Sequence, residues 1–174
     1  MDLLAAAPAA RPRPFARLFF AALFFAAACG VARADEFGVN LYGLSYHFNR
    51  AEAQAIGVDN SVNPGLGFRY RFADWHRWQF FADGGAYYDS GRNTATYAGA
   101  GALWSVGSGF QAGAALAVFH SDTYNRGRAF IAPLPLLAWD LGPVTLNLTF
   151  FPKISRFNDV ATLGFWVTLW PGRW

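Results

Sequence analysis

Sulfur and charge are scarce in this chain. One cysteine, Cys29, occurs in 174 residues, so no internal disulfide can form and no thiolate-rich metal site can be built. The three histidines do not fall with carboxylates at ligand spacing, and neither a metal nor a diffusible cofactor is expected. Charged residues make up 14% of the chain. Beyond residue 34 no apolar run approaches the roughly 20 residues that a membrane-spanning helix needs. That removes a helical membrane protein from consideration.

The one extended apolar run lies at the N-terminus. Arg11, Arg13 and Arg17 precede Leu18 to Cys29, and Ala32-Arg33-Ala34 follows with small residues where a signal peptidase reads. This is the layout of a secretory signal peptide, expected over 1–34 with cleavage after Ala34. The leader holds Cys29 and Arg11, Arg13, Arg17 and Arg33 against Asp2 alone. Ten basic and ten acidic residues remain, so the net charge of +3 belongs to the leader. The mature chain, 35–174, is expected to be neutral, and a nucleic-acid partner loses its electrostatic basis.

What remains is aromatic and small. Over the whole chain aromatic residues reach 18% and there are 18 glycines, of which only Gly30 lies in the leader. A helical membrane protein would need long apolar segments, and a water-soluble domain rarely carries so much aromatic area. A membrane barrel resolves the conflict, because each strand is apolar on one face only and closure leaves no unpaired edge in lipid. Val144-Thr145-Leu146-Asn147-Leu148-Thr149-Phe150 alternates apolar and polar residues without a fault, as a strand between lipid and lumen should. Further strands are expected at 37–48, 65–72, 78–88, 94–104, 109–119, 129–139 and 160–170. The expected fold is therefore all-β, an eight-stranded antiparallel transmembrane barrel in the bacterial outer membrane. Connections at 49–61, 89–93, 120–128 and 153–159 are the longer set. Those at 73–77, 105–109 and 140–143 are turn-like, the last through Gly142-Pro143. Long loops outside and short turns in the periplasm suit such a barrel. A monomer or weak homodimer is expected.

Eight strands enclose side chains or one small ligand, not an aqueous pore. Tyr97, Gly99, Gly101 and Leu103 share one face of the fourth strand; facing inward, their small members either leave room for an acyl chain or relieve crowding. His47 closes the first strand and Asp89-Ser90 the third, both at the outer side. Strands one and three are one strand apart, so these ends can face each other across a narrow mouth. A histidine near a hydroxyl is the minimum equipment for acyl transfer. Adjacent Asp89 and Ser90 would point to opposite faces of a regular strand, so a turn at Gly91 is needed before both can point inward. Solvated loop residues would look the same in sequence.

These segments resemble the PagP-type lipid A palmitoyltransferases. Leu44-Ser45-Tyr46-His47 is similar to the end of that family's first strand, and Tyr88-Asp89-Ser90 to its Asp-Ser pair. Tyr97-Ala98-Gly99-Ala100-Gly101-Ala102-Leu103-Trp104 follows at a similar distance. Asn63-Pro64-Gly65-Leu66-Gly67-Phe68 resembles its glycine-rich second strand. Pro133-Leu134-Pro135-Leu136-Leu137, Gly142-Pro143-Val144-Thr145 and Phe151-Pro152 resemble its sixth and seventh. The likeness covers nearly all of 35–174 in order.

The resemblance implies an acyltransferase that moves a palmitoyl chain from the sn-1 position of a phospholipid donor to a hydroxyacyl chain of lipid A. By the same likeness His47, Asp89 and Ser90 are catalytic. His47 is then a general base, with Asp89 and Ser90 orienting it or the substrate. Gly99 and Gly101 line the acyl pocket, Gly101 at its floor. Pro64 and Pro152 mark lateral gates, where a missing ladder donor loosens the wall. Arg50, Arg92, Arg126 and Arg128, with Lys153 and Arg156, stand in outer loops where lipid A phosphates can be held. The family's N-terminal amphipathic clamp has no counterpart in Asp35-Glu36-Phe37. Tyr42 stands where a gate proline is usual, and Pro171 to Trp174 extend past the usual C-terminal aromatic. A lipid A deacylase, to which His120-Ser121 invites comparison, and a non-catalytic structural barrel are the rival functions. A small porin is the weakest of the rivals, because eight strands leave no channel.

Overall fold

A computed structural model describes residues 35–154 and 157–174. The signal-peptide expectation for 1–34, and Arg156, lie outside the described residues. Eight antiparallel strands close into a barrel: β1 Glu36–His47, β2 Val62–Trp75, β3 Trp78–Tyr88, β4 Thr94–Gly107, β5 Phe110–His120, β6 Phe130–Asp140, β7 Val144–Phe151 and β8 Thr162–Leu169. Closure comes from β1 pairing with β8 from Val39↔Leu169 to His47↔Thr162. Leu41, Leu66, Phe68, Leu116, Val118, Ile131, Leu137, Leu146 and Phe165 are exposed on the outer wall. Their inward neighbours along the strands, Asn40, Arg69, Ala117, Ala138, Thr145 and Asn147, are buried. Period-two alternation thus turns an apolar face to lipid, which is the architecture of an outer-membrane barrel.

The expected strands all form, with shifted ends. β2 starts at Val62 and runs to Trp75, because Pro64 is tolerated at a bulge where Tyr42↔Gly65 gives way to Leu44↔Val62. The turn expected over 73–77 shrinks to His76-Arg77. The 49–61 loop contains a short helix, α1 (Arg50–Ala55), which the sequence reading missed. Its N-cap Asn49 side chain accepts from the Glu52 N–H at 3.1 Å, a one-turn saving of an orphan donor. The last strand ends at Leu169, and Pro171–Arg173 form a 3-10 turn.

The interior has two storeys. In the lower one, Arg69 donates from Nε and Nη2 to Asp83 Oδ2 at 3.0 and 2.6 Å, and from Nη1 to Asn147 Oδ1 at 2.8 Å. Asn40 Nδ2 and the Tyr97 hydroxyl donate to Asp83 Oδ1 at 2.6 and 2.9 Å. Thr168 joins Asn40 at 2.7 Å, and the Tyr42 and Tyr97 hydroxyls meet above. Buried polar groups are tolerable here because each has partners. Nearer the periplasm, Arg71 and Arg173 share Glu36 at 2.8 and 2.5 Å, and Arg173 also reaches Asp140 at 2.9 Å.

The upper storey is apolar and not filled. A cavity of about 300 Å³ lies between Tyr42, Asp83 and Tyr97 below and the mouth above. Its walls are small or apolar, including Gly99, Ala115, Ala117, Ala132 and Leu134. One seam opens beside it. β6 and β7 pair only from Leu136↔Thr149 to Asp140↔Thr145. Phe150 and Phe151 pair with β8 instead, so Phe130 to Pro135 have no ladder partner in β7. Pro133 and Pro135 lack the N–H a ladder would use.

Candidate active site at the barrel mouth

β1 and β3 bring their outer ends over this cavity from either side of β2. His47, the last residue of β1, places Nε2 2.9 Å from Ser90 Oγ, and each residue is 6% exposed. The contact joins positions 43 residues apart. It is held by the 49–61 loop, where Asn60 N–H donates to the Ser90 carbonyl at 3.1 Å and Asn60 Nδ2 to the Asp89 carbonyl at 3.0 Å. The Ser45 N–H donates to the Ser61 carbonyl at 2.9 Å, fixing the exit of β1.

Asp89 is fully buried but is directed away from His47. Its carboxylate accepts from the N–H groups of Gly91 and Asn93, both at 2.9 Å, from Thr123 Oγ1 at 2.8 Å, and from Ser121 Oγ. Four donors occupy the carboxylate, so a linear Ser-His-Asp relay is not the arrangement. Asp89 instead forms the turn that presents Ser90 and pins the 121–124 loop beside it. Asn93 Nδ2 adds a bond to Thr123 Oγ1 at 3.0 Å.

Tyr124 at the end of that loop also lines the mouth of the cavity, and nothing in the sequence singled it out. Its hydroxyl adjoins the hydroxyl and N–H of Ser90, and burial pushes it up to about 12.

Of the two glycines expected to line an acyl pocket, Gly99 lines the cavity. A Cβ there would lie 2.5 Å from the Leu116 carbonyl oxygen and 2.7 Å from Ala117 Cβ. Gly101 lies lower: a Cβ would meet Phe81 Cζ at 2.6 Å, and the Phe81 ring occupies that space. Pro152 follows β7 at the open β6–β7 seam and lines the cavity. Pro64 is exposed on β2, where the β1–β2 ladder is hydrogen-bonded on both sides of the bulge.

The four arginines expected in outer loops are exposed and stand in three different loops. Arg50 opens α1, Arg92 pairs with Asp59 at 3.0 Å, and Arg126 and Arg128 flank Gly127. Lys153 is joined to Glu52, linking the loop after β7 to α1. No cluster of three His, Cys, Asp or Glu with metal-holding geometry occurs among the described residues.

A scan of protein-family models finds no match to this chain, and a search of curated proteins finds no match either. Among solved structures the fold is similar to the Yersinia pestis outer membrane protein Ail in a phospholipid bilayer nanodisc. The likeness has 11% identity and a TM-score of 0.49, over 79% of this chain and 99% of that one.

Proposed function

We propose that this chain is an outer-membrane acyltransferase that moves a long acyl chain, palmitoyl by family resemblance, from a phospholipid to lipid A. The observation that carries the reading is the His47–Ser90 contact, whose Ser90 lines an apolar cavity. A donor phospholipid would place one acyl chain in the cavity and its ester at the mouth. The β6–β7 seam beside Pro133, Pro135 and Pro152 offers a sideways path from the outer leaflet, since no backbone ladder closes it.

His47 is the general base. The proton of the incoming lipid A hydroxyl passes to Ser90 Oγ as the Ser90 proton moves to His47 Nε2, while the lipid oxygen bonds to the ester carbon. Collapse of the tetrahedral adduct breaks the donor ester bond, and the leaving glycerol oxygen takes the proton back along the same path. The chemistry draws on no cofactor. Asp89 is a positioning residue that fixes Ser90 through its turn. Arg50, Arg92, Arg126 and Arg128 supply loop cations for lipid A phosphates by charge-assisted bonds.

The test is mass spectrometry of lipid A from cells expressing the full chain, His47→Ala or Ser90→Ala. One added palmitoyl mass that vanishes in both variants supports the reading. No added mass, with all three proteins folded in the outer membrane, removes it, and a loss of acyl mass points to a deacylase.

A further inference from the structure

Resting on the acyl-transfer reading, we infer that Tyr124 is a further catalytic residue: its hydroxyl donates a hydrogen bond to the carbonyl oxygen of the ester under attack and holds the oxyanion formed there. Attack on an ester puts negative charge on that oxygen, and a donor fixed in advance against it is among the largest contributions to catalysis. Several donors around Ser90 are already committed. Ser90 Oγ is engaged with His47, and the N–H groups of Gly91 and Asn93 are spent on Asp89. Asn60 N–H is spent on the Ser90 carbonyl. Tyr124 lines the same cavity as Ser90, and its hydroxyl is held beside Ser90 by hydrogen bonds with the Ser90 side chain and backbone.

The loop is constructed to hold this ring. Ser121 and Thr123 donate to Asp89, the residue before Ser90, so both sides of the mouth are tied to one carboxylate. The Tyr124 N–H reaches the Ser121 carbonyl at 3.3 Å, and Gly127 N–H reaches the Tyr124 carbonyl at 2.9 Å. Asn125 and Arg126 follow at φ 48° and 56°. Two successive non-glycine residues in the left-handed region persist only where surrounding structure imposes them, a situation that gathers at functional sites. Here the reversal comes immediately after Tyr124. With its proton retained far above neutral pH, the phenol stays a donor throughout the working range.

In the balanced step, the lipid A oxygen bonds to the ester carbon as its proton leaves through Ser90 to His47. The carbonyl π pair moves onto oxygen, where Tyr124 donates without giving up its proton. When the oxyanion collapses, the donor C–O bond breaks and the glycerol oxygen is reprotonated from His47.

The experiment is steady-state acyl transfer by the purified full chain in detergent micelles, with phospholipid and lipid A as substrates. Wild type, Tyr124→Phe and His47→Ala are compared, and barrel folding is read from heat-modifiable gel mobility. Tyr124→Phe keeps the ring and is expected to lower kcat by about 100-fold or more, with the phospholipid KM and the folded fraction unchanged. Wild-type kcat in folded Tyr124→Phe overturns the inference while leaving the acyltransferase reading intact, as does a change in KM alone. Wild-type activity in His47→Ala, or none in wild type, overturns both. If Tyr124→Phe misfolds, Tyr124→Leu, which likewise has no donor, is measured in its place, and a folded protein with wild-type kcat again overturns the inference.

Discussion

Arg69 on β2 and Asp83 on β3 meet at the centre of the barrel, two guanidinium nitrogens donating to one carboxylate oxygen with both side chains nearly sealed from solvent. Taking one partner away leaves a buried charge without compensation. Arg69→Met is therefore expected to destabilise the barrel by about 3–5 kcal/mol, read as a lower urea midpoint in lipid vesicles. Arg69→Met with Asp83→Leu should recover only part of that loss. The second change orphans the Asn40 and Tyr97 donors that Asp83 now accepts. A double variant less stable than the single would overturn this account.

The place of Phe81 under Gly101 separates a structural glycine from a length-setting one. Gly101→Ala drives a methyl group against Phe81 and the Ala114 carbonyl, an overpacking cost of about 1–3 kcal/mol. The acyl length transferred should not change. Ala115→Met, on the cavity wall near its floor, should shift the product to shorter chains. Mass spectrometry of the modified lipid distinguishes the two, and shortening by Gly101→Ala alone would place the floor below Tyr97.

Pro135 offers a way to close the open seam. Its carbonyl accepts from Thr149 Oγ1 at 2.9 Å, so that edge of the residue faces β7, and an N–H restored there would face β7 too. Pro135→Val is expected to extend the β6–β7 ladder towards the mouth and to slow transfer several-fold at unchanged or higher stability. Greater amide-exchange protection at Phe150 together with the slower rate would show both; protection without slowing would mean that lipid takes another path.

At the periplasmic end, Arg173 ties the segment after β8 to Glu36 on β1 and Asp140 on β6, with its guanidinium 4.4 Å from the Trp170 ring centre. The pairs are only partly shielded, so Arg173→Ala should cost about 1 kcal/mol. High salt should shrink the difference between variant and wild type in thermal unfolding, as screening of such pairs requires. A loss unaffected by salt would assign the effect to Trp170 packing instead.

Much of this was legible before any coordinates. Faultless alternation in Val144 to Phe150 specifies which side chains meet lipid, and turn residues such as Gly142-Pro143 bound the strands, so strand number and closure follow from pattern. His47 and Ser90 could be suspected because strand ends one strand apart must converge at a narrow mouth. The role of Asp89 could not be read. Four hydroxyl and amide donors decide where its carboxylate turns, and two of them, Ser121 and Thr123, come from a distant loop. Tyr124 escaped for the same reason, since an aromatic among loop residues carries no periodic signal. Gly101 was misjudged in depth because composition cannot tell that Phe81 from the next strand fills the space beneath it. α1 was hidden by its length, a single turn stabilised by one cap.

The lower-storey network draws Asn40, Arg69, Asp83, Tyr97, Asn147 and Thr168 from β1, β2, β3, β4, β7 and β8. It therefore spans the first strand and the last. No nascent, partly inserted chain can satisfy it, because Arg69 lacks Asn147, and Asn40 lacks Thr168, until the C-terminal strands arrive. Insertion thus has a completion test written into its own wiring: an unfinished barrel keeps orphaned polar groups in an apolar setting, and only the arrival of β8 resolves them together. Assembly should accordingly be all-or-none, with truncated chains failing outright instead of lingering as smaller barrels.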